Sequence, residues 1–306
     1  MRHDPVLLTE ILEYLRPARA DGTLVDATVG LGGHSEALLE RYPETRLVAI
    51  DRDPEALERS KERLSRFADR VTFVQGRHET LIDILKQAGV AEAAGVLADL
   101  GVSSMQLDDP SRGFSFRFEG PLDMRMGPDS RSAADLVNTA GEYELFRIIR
   151  DYGEEPMARR IAAAIVAARV EAPIETTSRL AEVIRSVKKP RFNDIDPSTL
   201  TFQGLRIAAN EELVQLDQFV DDAVSVLEPG ARLAVISFHS LEDRIVKRAL
   251  RRLEGECKCP PGMPVCGCGA KAVVEQLTGR PVTASEEELE RNPRSRSAKL
   301  RVAEKL

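Results

Sequence analysis

Thr23 to Asp53, TLVDATVGLGGHSEALLERYPETRLVAIDRD, is the stretch that decides the fold. Leu24 and Val25 are apolar and β-prone, glycines cluster at Gly30, Gly32 and Gly33, Ser35 to Arg41 is amphipathic, and Leu47 to Ile50 form a second short apolar run. The order strand, glycine turn, helix, strand opens a doubly wound α/β sheet. Such a turn aims backbone N–H groups at the mouth of a parallel sheet. Asp51 ends the second strand, where a carboxylate can accept two hydrogen bonds from a ribose diol. The expected ligand is a nucleoside-containing cofactor.

Two cofactor classes use this arrangement. The dinucleotide fingerprint G-x-G-x-x-G needs a glycine at position 35, where the third glycine lets the helix approach the sheet around a pyrophosphate. Ser35 stands there. Asp26, ending the first strand, brings negative charge toward the turn, which opposes a pyrophosphate and suits a methionine ammonium. These residues favour S-adenosylmethionine over a nicotinamide dinucleotide.

The 306 residues suffice for one large α/β domain with an insertion, or for two domains. Hydrophobic content of 42% and charged content of 30% are ordinary for a soluble globular protein. No apolar run approaches the roughly 18 residues needed to span a bilayer, and no export signal follows Met1. The expectation is a cytoplasmic protein with no membrane partner. A net charge of −7 opposes indiscriminate polyanion binding. Basic residues nevertheless cluster at Arg244, Lys247, Arg248, Arg251 and Arg252, at Lys188, Lys189 and Arg191, and at Arg291, Arg294, Arg296, Lys299 and Arg301. Patches on an acidic body suit a structured polyanion met in one orientation; for any single cluster, solvated surface charge is the plainer reading.

Along the chain, Val6, Leu7, Leu8, Ile11, Leu12 and Leu15 have helical spacing after Pro5. Pro54 opens a helix predicted through Phe67, Val71 to Val74 is a third strand, Leu81 to Gln87 a helix, and Gly95 to Leu100 a fourth strand with Asp99 near its end. His78, in the loop after the third strand, is placed either over an adenine ring or toward solvent. Beyond Asp99 comes a loop rich in Gly, Pro and Asp in which Phe114, Phe116 and Phe118 alternate; loops this long are usually functional. Helical patterns then follow without a strand until Val187. This predicts an inserted helical domain, residues 107–204, within a discontinuous domain of residues 1–106 and 205–306. One long helix is expected over Leu205 to Leu227, then a strand over Arg232 to Phe238, a helix, and a closing pair at Val273 to Leu277 and Lys299 to Ala303. The fold class is α/β, a Rossmann-like class I methyltransferase with a seven-stranded, mostly parallel sheet.

Strand C-termini converge on the crevice, so Asp99, Ser103, Ser104, Gln106, Ser237, His239 and Ser240 are expected to face the ligand. An exocyclic amine on a nucleobase is a weak nucleophile because its lone pair is delocalised into the ring. An acceptor oxygen on the amine N–H and an aromatic face under the base remedy this. Asp99, Ser103 and Ser104 are candidate acceptors, and His239 is a candidate proton acceptor or base contact. Phe114, Phe116, Phe118 and Phe238 are candidate rings, with core packing as their other reading.

Several segments carry a specific resemblance. GLGGHS (Gly30 to Ser35), AIDRDP (Ala49 to Pro54), DLGVSSMQLDDPSRGFSF (Asp99 to Phe116), GPLDMRM (Gly120 to Met126), TFQGLRI (Thr201 to Ile207), ISFHSLEDRIVK (Ile236 to Lys247) and NPRSRSAKLR (Asn292 to Arg301) occur in order. Together they resemble the RsmH (MraW) family, bacterial enzymes that methylate the exocyclic N4 amine of one cytidine in 16S ribosomal RNA. The resemblance implies S-adenosylmethionine as donor, with cofactor contacts at Gly32, Gly33, His34, Asp51, His78, Asp99 and Gln106, beside Gly30 in the same turn. It implies the small ribosomal subunit as substrate, rather than free nucleoside or DNA. Two departures stand out: His78 replaces an aromatic found in other members, and Asp99-Leu100-Gly101-Val102 replaces the D-P-P-Y motif of amino-methyltransferases. The rival functions are a nicotinamide-dependent oxidoreductase and a ribosome-assembly factor that binds the donor without transferring its methyl.

Cys257, Cys259, Cys266 and Cys268 form C-x-C-x6-C-x-C. In a cytosolic chain four such close thiols suit a structural zinc site or free thiols better than disulfides. A metal here would brace a loop and take no part in methyl transfer.

Overall fold

The computed structural model describes residues 5–127, 130–190, 195–257, 259 and 267–306. The first half alternates: α1 (Leu8–Tyr14), β1 (Thr23–Asp26), α2 (Gly33–Arg41), β2 (Arg46–Asp51), α3 (Pro54–Arg63), β3 (Val71–Gln75), α4 (Leu81–Gln87) and β4 (Ala93–Asp99). Helices follow: α5 (Ser104–Asp108), α6 (Ala133–Thr139), α7 (Glu142–Arg147), α8 (Ala158–Glu171), α9 (Thr177–Val187), α10 (Thr199–Asn210) and α11 (Leu216–Val226). The chain closes with β5 (Leu227–Ser237), α12 (Ser240–Leu253), β6 (Val274–Gln276), α13 (Glu286–Arg291) and β7 (Lys299–Lys305). Two compact units result: Met1–Gly101 with Val214–Leu306, and Val102–Leu213. The sequence expectation set the insertion at residues 107–204.

The first unit holds one sheet of order β3-β2-β1-β4-β5-β7-β6. Strands β1 to β5 pair in parallel, and β7 is antiparallel to both β5 and β6. β4 is buried along its length until Asp99, as expected of a central strand covered on both faces. Leu24, Leu47, Leu97, Ile236, Leu300 and Val302 from the sheet pack with Leu7, Ile11 and Leu38 from the flanking segments. Strand order reverses between β1 and β4, the switch point at which doubly wound sheets open a ligand crevice beyond the strand C-termini. Asp26, Asp51, Asp99 and Ser237 end β1, β2, β4 and β5. Four polar side chains thus stand along that edge.

The second unit is helical, with a core built around Leu122, Met124, Ile149, Ile161, Ile165, Ile184 and Leu205. Asn210 is fully buried and satisfied: its Nδ2 donates to the Met124 and Arg206 carbonyls, and its Oδ1 accepts the Met126 N–H. None of the described helices is long and apolar enough to cross a membrane.

Three elements differ from the sequence pattern. The helix expected over Leu205 to Leu227 is two helices, because Glu211 (φ 53°) and Gln215 (φ 61°) take left-handed conformations; the apolar spacing runs through the break and hides it. The helix opened by Pro54 ends at Arg63, and a 3-10 turn covers Ser65–Phe67. Strand β5 begins at Leu227 rather than Arg232: Ala93 pairs with Leu227 but Gly95 with Arg232, so the register shifts across Glu228 to Ala231.

Candidate functional site

Asp26 leaves the sheet 2% exposed. One carboxylate oxygen accepts the Ser35 hydroxyl (2.6 Å) and the other the Thr28 N–H (3.2 Å). Burial pushes its carboxyl up to about 6; the two hydrogen bonds oppose the shift and the nearby Asp51 charge adds to it. The glycine turn comes next. Gly32 caps α2 at φ 74°, a conformation that glycine adopts without strain. A Cβ on Gly33 would stand 2.5 Å from Pro5 Cγ, so the chain entering α1 packs on the bare backbone at the start of α2.

Asp51 closes the turn from the next strand. Its Oδ2 accepts the Gly30 N–H (2.8 Å) and its Oδ1 the Asp53 N–H (2.9 Å). Burial again dominates and pushes the carboxyl up to about 6. Each oxygen accepts one backbone N–H there, which leaves lone pairs for the diol that the sequence reading assigned to it.

His34 is buried, with Nε2 2.8 Å from the Val6 carbonyl and Nδ1 3.7 Å from Asp99 Oδ2. The carbonyl is acceptor-only, so Nε2 carries a proton. The Asp99 N–H donates to Thr28 Oγ1 (2.6 Å). Asp99 Oδ1 is shielded from solvent and has no hydrogen-bond partner among the described residues. Burial, then the charges of Asp26 and Glu242, hold its carboxyl well above the usual range. An orphaned carboxylate oxygen at a strand end is what an ammonium or amine N–H would satisfy.

His78 is half-buried, its side chain 14% exposed. Its ring meets Phe219 edge-on at 4.8 Å, burial lowers its basicity, and Nε2 is a second shielded atom without a partner among the described residues. Beyond β5, Ser237 is buried and His239 caps α12. His239 Nδ1 accepts the Glu242 N–H (3.4 Å) and its Nε2 lies 3.1 Å from Glu242 Oε1. Glu242, 2% exposed, accepts the Phe238 (2.9 Å) and His239 (3.3 Å) N–H groups on Oε2. The sequence reading did not single out Glu242. Its signal was the H-x-x-E spacing at a helix start, a capping box with histidine in place of serine or threonine.

The helical unit holds the other candidates. Ser103 caps α5, its hydroxyl accepting the Gln106 N–H (3.3 Å) while Gln106 Oε1 accepts the Ser103 N–H (3.0 Å). Gln106 is buried, and Ser104 is the first residue of α5. The four phenylalanines separate. Phe114 lies in the core of the helical unit, Phe116 packs edge-on against Phe202, and Phe118 is exposed; Phe238 is half-buried in the sheet unit.

Cys257, Cys259 and Cys268 come together with all three sulfurs within 4.8 Å of one another. Cys257 Sγ and Cys268 Sγ are 3.7 Å apart, and the Cys259 and Gly267 N–H groups point at Cys257 Sγ and Cys259 Sγ. Cys266 lies outside the described residues, as does Arg191 of the second basic cluster. In the other clusters Arg252 pairs with Asp217 and Asp221, and Lys299 and Arg301 with Asp243.

The edge therefore offers a glycine turn and two ionisable groups, Asp99 and His78, with buried atoms that have no hydrogen-bond partner among the described residues, a set that fits a cationic nucleoside. Relatives extend over the whole chain. Proteins named ribosomal RNA small subunit methyltransferase H are 51% identical in Trichlorobacter lovleyi (99% of this chain, 98% of that one) and 52% identical in Pelobacter propionicus (100% and 99%). The Heliobacterium mobile protein of the same name is 50% identical (99% and 99%). Among solved structures, an rRNA methylase from Streptococcus thermophilus is 13% identical with a TM-score of 0.40 (100% and 99%), too slight a likeness to carry an argument. The model of the MraW methylase family matches residues 1–306, and with half the residues shared end to end with its named relatives, the chain belongs to that family of methyltransferases.

Proposed function

We propose that this methyltransferase acts in the cytoplasm on the small ribosomal subunit, moving the methyl group of S-adenosylmethionine to the exocyclic N4 amine of a cytidine in 16S rRNA. The observation that carries the reading is the unpartnered Asp99 Oδ1 at the end of β4, beside the turn that opens α2. When bound, S-adenosylmethionine supplies a sulfonium methyl whose sulfur departs as a neutral thioether, so no general acid is required. The backbone of Gly30, Gly32 and Gly33 and the side chain of His34 form the cradle, Asp51 holds the ribose, and His78 faces the adenine. With a cation beside it the Asp99 carboxyl ionises. Its Oδ1 then accepts the amine N–H, which returns electron density to the nitrogen, and it takes up the proton released on methylation. Ser103, Ser104 and Gln106 belong to the helical unit, which we read as the part that recognises substrate.

Labelled donor, purified protein and small subunits from a strain lacking the gene test the reading. N4-methylcytidine is expected in a nuclease digest analysed by mass spectrometry. Tight donor binding without incorporation would leave a non-catalytic assembly factor; reduction of a nicotinamide would mean an oxidoreductase.

We also read Cys257, Cys259 and Cys268 as ligands of a structural zinc. Their 3.7 Å sulfur separation is far longer than a disulfide bond of about 2.0 Å. It matches the ~3.8 Å edge of a tetrahedron built on Zn–S bonds of about 2.3 Å. Metal analysis should find one zinc per chain, and its absence from protein purified under reducing conditions would leave free thiols.

A further inference from the structure

We propose that Phe238 is the ring on which the target cytosine stacks, and that Glu242 is the positioning residue that holds it; this rests on the cytidine reading above. The other three phenylalanines have different settings: Phe114 is 6% exposed within an apolar core, Phe116 is committed to Phe202, and Phe118 is 52% exposed. Phe238 alone of the four follows directly from a strand of the sheet unit at its ligand edge.

Its place is set by the backbone. Asp99 pairs in register with Ile236, and the Leu100 N–H donates to the Ile236 carbonyl (2.9 Å). A Cβ on Gly101 would lie 3.5 Å from Phe238 Cδ2, so the ring lies against the chain just after Asp99. Gly101 itself is at φ 96°, which excludes most side chains from the spot where the ring packs. Phe238 is only half-buried against the sheet core. A half-buried aromatic beside an unpartnered acceptor provides the two things that an exocyclic amine on a base requires: a stacking face and an oxygen for its N–H.

Glu242 fixes the ring's backbone. Its buried carboxylate accepts the N–H groups of both Phe238 and His239, holding the turn between β5 and α12. Both nitrogens of the His239 ring face the first turn of α12.

The test uses the full-length protein with small subunits, reading donor affinity by calorimetry and methyl transfer by label. Phe238→Ala should leave donor affinity within about twofold and lower kcat/KM for the subunit by about ten- to a hundredfold, the range of losing one base–aromatic stack. Phe238→Tyr should restore most of the rate, and Phe238→Leu, which fills the space without a π face, should not. Glu242→Ala should lower kcat/KM with donor affinity retained, and Glu242→Gln, whose amide oxygen accepts the same N–H groups, should recover it. Full activity in Phe238→Leu, or a matching loss of donor affinity in Phe238→Ala, would overturn the proposal. Failure of the wild-type protein to methylate the subunit would instead overturn the cytidine reading.

Discussion

The shifted aspartates of the helical unit and the aspartates that end strands at the ligand edge of the sheet sit on opposite sides of their ordinary range. In the helical unit Asp123 and Asp151 are held low by Arg125 and Arg150, Asp196 by the Ser198 N–H and Arg185, Asp109 by the hydroxyl and N–H of Ser111, and Asp135 by those of Ser132, which caps α6. At the ligand edge of the sheet Asp26, Asp51 and Asp99 are all raised, chiefly by burial; His34 lies 3.7 Å from Asp99, and the Arg52 charge offsets only a small part of the shift at Asp51. Paired acids stabilise a fold, whereas acids buried without a counter-charge cost stability and are kept where a ligand supplies the missing charge. The helical unit is built to hold itself together. The sheet edge is built to be completed.

The strongest way to break this contrast is to neutralise one acid from each side. Asp99→Asn should lower methyl transfer by roughly two to three orders of magnitude, yet melt about 2–4 °C higher than the wild type without donor. Asp123→Asn, which removes the partner of Arg125, should melt roughly 1–3 °C lower with turnover intact. Melting shifts of the same sign in differential scanning calorimetry would erase the distinction.

A finer comparison uses pH. A carboxyl with a folded pKa near 6 and an ordinary unfolded value binds more protons when folded, so stability from this group falls as pH rises through 6 and is greatest at acid pH. For Asp26 the whole span is about 3 kcal/mol, with roughly half appearing between pH 8 and pH 5. Denaturant titrations of wild type and Asp26→Asn at those two pH values isolate the group. The difference between them should shrink in the neutral variant, and an unchanged difference would mean that Asp26 is not buried as an uncompensated charge.

Much of this was legible in the residues. Apolar runs and glycine turns are local signals, so the seven strands, the mostly parallel sheet and the family motifs could be read from the chain. The break at Glu211 could not, because a non-glycine residue at positive φ leaves no mark in apolar spacing. Nor could the contact of the His78 ring with Phe219, which comes from the far half of the chain. Phe114, Phe116 and Phe118 alternate in sequence yet occupy three different environments, since alternation describes direction along a strand and this segment is not one. Glu242 left little mark because its capping box begins on His239 in place of the usual serine or threonine.

The central claim, that the edge lined by Asp26, Asp51 and Asp99 is completed by a cationic nucleoside, is tested most directly by calorimetric titration of S-adenosylmethionine into the wild type and Asp99→Asn. One donor per chain should bind the wild type, with affinity at least tenfold weaker in the variant. Equal affinity in the two proteins, or preferential binding of a nicotinamide dinucleotide by the wild type, would contradict it.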